Sequence, residues 1–153
     1  ERTLLNKMDK DELKGFCKTE FEKLKGLAST LSSFCDEDKT AYELKDTAAM
    51  GAFLFSVYQG VERVLEQLLI FDALNPRQAE DGHSEIILQK AVELGIVPPE
   101  LNASLAGYLA FREFFGRSYV TDLNAQKICG LARNCGQTVE RLEKEVFEYI
   151  DTV

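Results

Sequence analysis

The chain has 153 residues, a length that fits one folded domain, and its 45% hydrophobic content is enough to bury a sizeable core. A formal net charge of −8 and an isoelectric point of about 4.8 weigh against a surface built for loose nucleic-acid binding, which normally needs a basic face, so any nucleic acid would have to be held locally. There is no apolar run of about 18 residues, and the start, Glu1-Arg2-Thr3, lacks the layout of a signal peptide. We therefore expect a single cytoplasmic domain over residues 1–153, with no membrane span.

The first half of the chain predicts two long helices. Apolar residues recur every three or four positions in the first segment, which is the spacing of one helix face, so we expect a helix over about residues 9–36. The acidic run Asp36-Glu37-Asp38 gives a polar break. The same spacing then returns over residues 53–69 and predicts a second long helix.

Glycine and proline mark features of this second helix. Gly51 and Gly60 weaken its intrinsic propensity, so we expect another helix or a bulky ring to approach closely at these positions. Asn75-Pro76 should end the helix, because proline disfavours an α conformation in the residue before it.

A shorter helix and an elbow follow. We expect a helix over about residues 83–94, with Gly95 placed to cap its C-terminus. Val97-Pro98-Pro99 predicts a rigid elbow, and Pro99 suits the first turn of a fourth helix that carries apolar residues to about position 115.

The remaining segment predicts a last helix. Asp122 or Asn124 can cap it, and its apolar residues again recur every three or four positions. No repeat, low-complexity tract or alternating strand pattern occurs. The predicted fold class is therefore all-α, an up-and-down bundle of four long helices and one short helix.

The cysteines and the single histidine give no sign of a metal site. Cys17, Cys35, Cys129 and Cys135 show no CxxC spacing and lie on or near apolar helical stripes, so we expect buried free thiols. His83 is the only histidine, and no spacing supplies the further ligands that zinc would need. We expect it to cap or pack near the start of its helix, and we predict no cofactor.

The most informative segment is the nine residues 111–119, Phe-Arg-Glu-Phe-Phe-Gly-Arg-Ser-Tyr. In it Arg112 is followed after four residues by Arg117, and after one more residue by Tyr119. This pattern resembles the signature of the HEPN superfamily, and of its HepT-type ribonuclease toxins in particular, which reads Arg, four residues, His, any residue, Tyr. Arg117 occupies the place of the histidine.

Two further stretches are similar to HepT-type toxins, so the resemblance covers about residues 45–150. Residues 53–66 resemble the family's second helix, with an apolar pair, an aromatic residue, a glycine and a Val-Glu-Arg run. The segment that begins Gly82-His83-Ser84-Glu85 and leads to Val97-Pro98-Pro99 resembles its short helix and proline elbow. The resemblance implies a HEPN-like helical bundle.

The resemblance also implies a metal-independent RNA endonuclease, in which the histidine moves a proton and an arginine steadies the phosphate. A guanidinium stays protonated in proteins, so Arg117 could hold a phosphate but could not act as the base. Loss of a positioned acid or base typically costs on the order of 10²–10⁴ in rate, so we expect very weak ribonuclease activity or none. Arg117→His should then restore cleavage. Both a naturally degenerate protein and an engineered substitution fit this pattern.

The neighbours of the motif arginine complete the predicted site. Glu113 places a carboxylate beside Arg112, where it could orient the arginine by pairing but would also repel a phosphate. The resemblance implies that Tyr119 accepts AMP from the partner antitoxin, a minimal nucleotidyltransferase. An alternative interpretation is a helix C-terminus whose two arginines complement the helix dipole.

The resemblance further implies a homodimer, because the family's RNA site forms between two subunits. The long helices carry apolar residues on more than one face, which favours the same conclusion. Our candidates for the subunit contact are Leu105, Tyr108, Phe111 and Phe115.

Two other functions remain open. The chain could be a non-catalytic HEPN subunit that binds substrate or acts as a scaffold for a minimal nucleotidyltransferase, which Arg117 favours if it is native. The least specific alternative is an acidic helical adaptor with no nucleotide role. We interpret Glu62, Arg63 and Glu66 as a surface ion-pair set and the aromatic residues near the motif as core or interface packing.

Overall fold

The computed structural model describes residues 7–35, 38–74 and 82–153. Within these ranges the chain is all-α, with no strand, and this confirms the predicted fold class. The described helices are α1 (Lys10–Ser33), α2 (Leu44–Phe71), α3 (His83–Glu93), α4 (Pro99–Arg117), α5 (Ala125–Arg133) and α6 (Cys135–Thr152), with a 3-10 turn at Val120–Asp122. The predicted breaks at Asp36-Glu37 and Asn75-Pro76 lie outside the described residues. No helix in the described ranges is both long and apolar enough to cross a membrane.

Helix α1 begins where the sequence predicted. The Asp9 side chain accepts a hydrogen bond from the Glu12 backbone N–H at 2.8 Å, and the Glu12 side chain accepts one from the Asp9 N–H at 3.0 Å. This reciprocal pair satisfies two N–H groups that an uncapped helix leaves without a partner. The buried face of α1 then packs against α2 and α6.

Helix α2 lies at the centre of the bundle, in contact with α1, α3, α4 and α5. Its two glycines are the points of closest approach. A Cβ at Gly60 would lie 2.6 Å from the Leu24 side chain of α1, and one at Gly51 would lie 2.8 Å from the Phe115 ring of α4. The predicted close approach of a helix and a ring is therefore confirmed.

The predicted end of α3 and start of α4 are also confirmed. Gly95 has a φ of 81°, in the left-handed region that glycine adopts without strain, and the chain reverses there. The Ile96 N–H then donates to the Ala91 carbonyl at 3.0 Å. Pro99 is the first residue of α4.

The predicted last helix is divided into α5 and α6. Asn124 caps α5, since its side chain accepts from the Lys127 N–H, and this confirms one of the two proposed caps. At Asn134 the helix breaks, and the Asn134 carbonyl accepts from both the N–H and the hydroxyl of Thr138. Gly130 and Gly136 flank the break and weaken helix propensity on either side of it.

The prediction of four free thiols is wrong for two of them. Cys35, just after α1, and Cys129 on α5 form a disulfide with their Cα atoms 5.7 Å apart. Cys17 and Cys135 are buried free thiols, as expected. The disulfide partners are 94 residues apart in sequence, so only the packing of α1 against α5 brings them within bonding distance.

Candidate functional site

The two arginines of the motif lie on different sides of α4. Arg117 lies five positions after Arg112, which corresponds to about 140° around an α-helix. Arg112 is half-buried, whereas Arg117 is the exposed last residue of the helix. Tyr119 follows the helix and is 81% exposed. Among residues 7–35, 38–74 and 82–153, no hydrogen bond or ion pair joins Arg112 to Arg117 or Tyr119.

Arg112 belongs to a partly buried polar network that joins three helices. Its Nη1 donates to the Glu62 carboxylate of α2 and to the Ser84 hydroxyl of α3, the latter at 2.5 Å. The Ser84 hydroxyl in turn donates to the Glu62 carboxylate at 2.6 and 2.9 Å. We call these three residues the Arg112 network. It fixes one edge of the guanidinium, because charge-assisted hydrogen bonds are short and strong.

Arg112 also lines a cleft. In the described part of the chain no protein partner occupies its Nε or Nη2. The cleft has a volume of about 320 Å³. Its lining residues come from α2, α3 and α4 and are Gln59, Glu62, Arg63, Glu66, His83 and Arg112. We call it the Arg112 cleft.

Opposite charges balance within this cleft. Among the residues that the structure describes, two arginines and two glutamates line it, so their formal charges cancel when the histidine is neutral. On a chain of net charge −8 such a neutral set repels an anion less than the average of the acidic surface does. Arg63 also reaches out of the cleft to Glu20 of α1, at 3.1 Å.

His83 is brought to the same cleft as Arg112. It is the first residue of α3, and its Nε2 lies 3.3 Å from the Glu66 carboxylate of α2. Its side chain is 35% exposed, so it is both held by a partner and open to solvent. The sequence predicted only packing near the helix start, and nothing in its pattern indicated the proximity to Arg112.

The interpretation of Glu62 as part of a surface ion-pair set is wrong. Glu62 is only 7% exposed, and its partners are Arg112 and Ser84 on other helices. One signal in the sequence could have indicated that Glu62 is buried. Glu62 lies among the apolar positions of α2, between Val61 and Leu65, and a carboxylate on a buried stripe needs a partner.

Glu113 does not pair with Arg112 in the described structure. It is exposed on the outer side of α4, and the carboxylate that holds Arg112 is Glu62. Tyr58, beneath the network, is fully buried, and burial followed by the nearby Glu62 carboxylate raises the pKa of its hydroxyl. Tyr58 therefore stays protonated and supplies no base.

Aromatic residues surround the Arg112 network on one side. Phe55 packs against Phe115 with ring centroids 5.4 Å apart, and Phe115 packs against Phe111 at 5.8 Å. The Arg112 guanidinium lies over the Phe55 ring, 5.7 Å from its centroid. These rings support the arginine by packing and a cation–π contact.

Two of the four predicted subunit contacts lie in the core of the chain. Leu105 is 1% exposed and Tyr108 is 5% exposed, so neither is available to a second subunit. The Tyr108 hydroxyl is also used internally and donates to the Leu131 carbonyl at 2.7 Å. The apolar residues that are exposed near the motif are Phe114, Tyr119 and Val120.

Comparison with models of known protein families gives a match over most of the chain. A family model described as HepT-like protein matches residues 49–153, which is more than half of the chain. The matched segment contains nearly all of α2 and every helix after it, and therefore every residue that lines the Arg112 cleft. No curated protein and no solved structure matches the chain.

Proposed function

Since the chain belongs to the HepT-like family, we propose that it is the toxin-like component of a cytoplasmic toxin–antitoxin pair and holds an RNA phosphate in the Arg112 cleft. The observation that carries the proposal is the half-satisfied guanidinium of Arg112. Glu62 and Ser84 fix its Nη1 edge, and the same residue lines a cleft large enough for a nucleotide phosphate. A planar, pre-oriented guanidinium is well suited to phosphate oxygens.

Position 117 contributes no base in this proposal. Arg117 is a permanent cation at the exposed end of α4, so it can only add positive charge near a bound strand. If proton transfer depends on position 117, the chain is inactive as a ribonuclease. The lack of a base at position 117 also favours the second candidate function, a non-catalytic HEPN subunit of a minimal nucleotidyltransferase.

The proposed partner is a minimal nucleotidyltransferase that acts as antitoxin. Tyr119 is its proposed AMP acceptor, which the 81% exposure of this side chain supports. The Tyr119 backbone N–H donates to the Asp122 carboxylate at 3.0 Å, so the backbone that carries the tyrosine is held in a defined turn. A phosphate on Tyr119 would add negative charge near Arg117 and oppose RNA binding.

We also propose a homodimer formed through the end of α4. The exposed apolar side chains Phe114, Tyr119 and Val120 lie close together in sequence there. Phe114→Asp should give a monomer by light scattering. Leu44→Asp is the matched control, because Leu44 is also exposed, at 54%, but lies at the start of α2. A monomeric parent chain at micromolar concentration would contradict the proposed dimer.

RNA binding tests the proposed site. Single-stranded RNA is titrated at low salt and followed by fluorescence anisotropy. Gln59→Glu places a negative charge in the cleft without removing any member of the Arg112 network, so affinity should fall about 10-fold or more. Gln137→Glu makes the same change on exposed α6 and should have little effect.

Arg112→Ala should weaken RNA binding about 10- to 100-fold, the value of one or two charge-assisted hydrogen bonds. Arg141→Ala removes an arginine that also pairs with carboxylates but lies outside the cleft, and it should bind RNA like the parent. Equal affinity in the Gln59 and Gln137 variants, or no RNA binding by the parent, would overturn the proposed function.

A further inference from the structure

We infer that Arg63 is a second phosphate-binding residue of the Arg112 cleft, and that the cleft takes two neighbouring phosphates of one RNA strand. This assignment rests on the proposed function, because it needs RNA to be held at Arg112. Among the residues that the structure describes, Arg63 and Arg112 are the two arginines that line the cleft. Arg63 belongs to α2 and lies outside the motif on α4.

The spacing of α2 places Arg63 at the cleft. Gln59 and Glu66, four residues before and three residues after it, share one face of the helix with Arg63. Both of them line the cleft as well. Glu62, the residue before Arg63, is the carboxylate that holds Arg112. The two guanidiniums therefore border one cleft, although they come from different helices.

A carboxylate on another helix holds each arginine at one edge. Glu62 accepts a hydrogen bond from Nη1 of Arg112, and Glu20 of α1 accepts one from Nε of Arg63 at 3.1 Å. Both carboxylates are buried, with side chains that are 10% exposed. A guanidinium held in this way loses less conformational freedom when it binds an anion.

Arg63 keeps donors for a phosphate. Its side chain is 54% exposed, and within the described ranges neither of its terminal nitrogens donates a hydrogen bond to the protein. A guanidinium can bind two phosphate oxygens at once through parallel N–H groups. The other two charged or titratable residues of the cleft, His83 and Glu66, already contact each other and are not needed for this binding.

The positions of the two carboxylates assign a separate phosphate to each arginine. Glu20 holds Arg63 towards α1, whereas Ser84 ties Arg112 to α3. Helix α2 contacts both α1 and α3. A single RNA strand carries one phosphate per nucleotide, so neighbouring phosphates can follow the line from one guanidinium to the other. A free nucleotide with two joined phosphates offers related chemistry, and its affinity distinguishes the two sources.

The salt dependence of RNA binding counts the phosphate contacts. The logarithm of the affinity for single-stranded RNA falls against the logarithm of the salt concentration with a slope of about 0.7 for each contact. Glu20→Gln/Arg63→Gln removes the cation and its carboxylate together, so the net charge is kept and no buried charge loses its partner. Its slope should be shallower than that of the parent by about 0.7, and its affinity at low salt about 10-fold weaker.

Two further variants control this measurement. Arg141→Gln/Glu145→Gln removes an arginine–carboxylate pair of the same kind, at 3.2 Å on α6 and outside the cleft, and should match the parent in slope and affinity. Arg63→Lys keeps the charge at the cleft and should keep the slope of the parent. Circular dichroism should show the same helix content in all of these variants.

Short ligands separate two phosphates from one. The trinucleotide UpUpU has two internal phosphates and the dinucleotide UpU has one, and their affinities can be measured by NMR titration at low salt. Glu20→Gln/Arg63→Gln should weaken UpUpU about 10-fold and UpU less than about threefold, whereas Arg112→Ala should weaken both. ADP should bind the parent at least about 10-fold more weakly than UpUpU, because the two guanidiniums are held by different helices.

The outcomes separate the role of Arg63 from the function on which it rests. If Glu20→Gln/Arg63→Gln matches the parent in slope and affinity while Arg112→Ala loses RNA, the role of Arg63 is refuted and the site at Arg112 stands. A weaker affinity with an unchanged slope would also refute it, because Arg63 would then act through the fold alone. Equal losses for UpU and UpUpU, or ADP binding as tight as that of UpUpU, would overturn the assignment of two phosphates of one strand. If RNA binding does not depend on Arg112, both proposals fail.

Discussion

The Arg112 network should be a large local contribution to stability, and Glu62→Ala measures it. The Glu62 side chain is 10% exposed and that of Arg112 is 23% exposed. Removal of one partner from a fully buried pair typically costs about 3–5 kcal/mol. Water can reach part of the Arg112 guanidinium and offset some of this loss, so we expect about 2–4 kcal/mol. For a chain of this length that corresponds to a fall in the thermal midpoint of roughly 5–15 °C.

Thermal unfolding followed by circular dichroism provides the assay, with Glu100→Ala as the matched control. Glu100 also bridges two helices through an arginine, Arg141 at 2.9 Å, but its side chain is 67% exposed. Its loss should shift the midpoint by less than about 2 °C, because water screens exposed pairs. The double variant Glu62→Ala/Arg112→Ala should lose less than the two single losses added together. If Glu62→Ala were no less stable than Glu100→Ala, the buried network would not support the fold.

Three further predictions follow from the packing and the exposed groups. Gly51→Ala should lower the free energy of unfolding by about 1–3 kcal/mol, because its methyl group meets an aromatic ring. Gly15→Ala, in open space on α1, should raise the free energy of unfolding by about 0.5–1 kcal/mol. Equal shifts in the thermal midpoints of the two variants would contradict the close approach of the ring to Gly51. Burial raises the pKa of Cys17 to about 12 and of Cys135 to about 11, so iodoacetamide at pH 8 should label neither thiol in the folded chain. It should label both after denaturation, and all four cysteines only after denaturation and reduction. Rapid labelling of the folded chain would refute the burial of the two thiols. Coexpression with a minimal nucleotidyltransferase, the class of partner proposed above, should add AMP-sized mass increments that vanish in Tyr119→Phe, and increments unchanged in that variant would place the acceptor elsewhere.

Local signals in the sequence predicted most of the helices. The spacing of apolar residues, the proline elbow at Pro99 and the glycine at position 95 each act over a few residues, and the structure confirms all of them. The break at Asn134 was missed because apolar spacing continues across it from α5 to α6. Helical periodicity alone does not reveal a single residue at which one helix ends and the next begins.

The site was harder to predict because its partners are distant in sequence. Arg112 was found through its motif, but its contacts with Glu62 and Ser84 span 50 and 28 residues. The proximity of His83 to the cleft depends on the packing of α3 against α2 and α4. The motif predicted that position 117 belongs to the same site as Arg112, but Arg117 lies about 140° away from Arg112 around α4.

Photo-crosslinking of RNA that carries 4-thiouridine, followed by mass spectrometry, tests the central claim most directly. If RNA binds in the Arg112 cleft, the crosslinked peptides should come from α2, α3 and α4 and contain the residues that line the cleft. These crosslinks should be lost in Gln59→Glu but kept in Gln137→Glu. The chain offers an alternative groove of about 350 Å³ between α1 and the adjoining ends of α5 and α6, and it includes Lys25 and Arg133. Crosslinks confined to that groove, and unchanged in Gln59→Glu, would contradict the account.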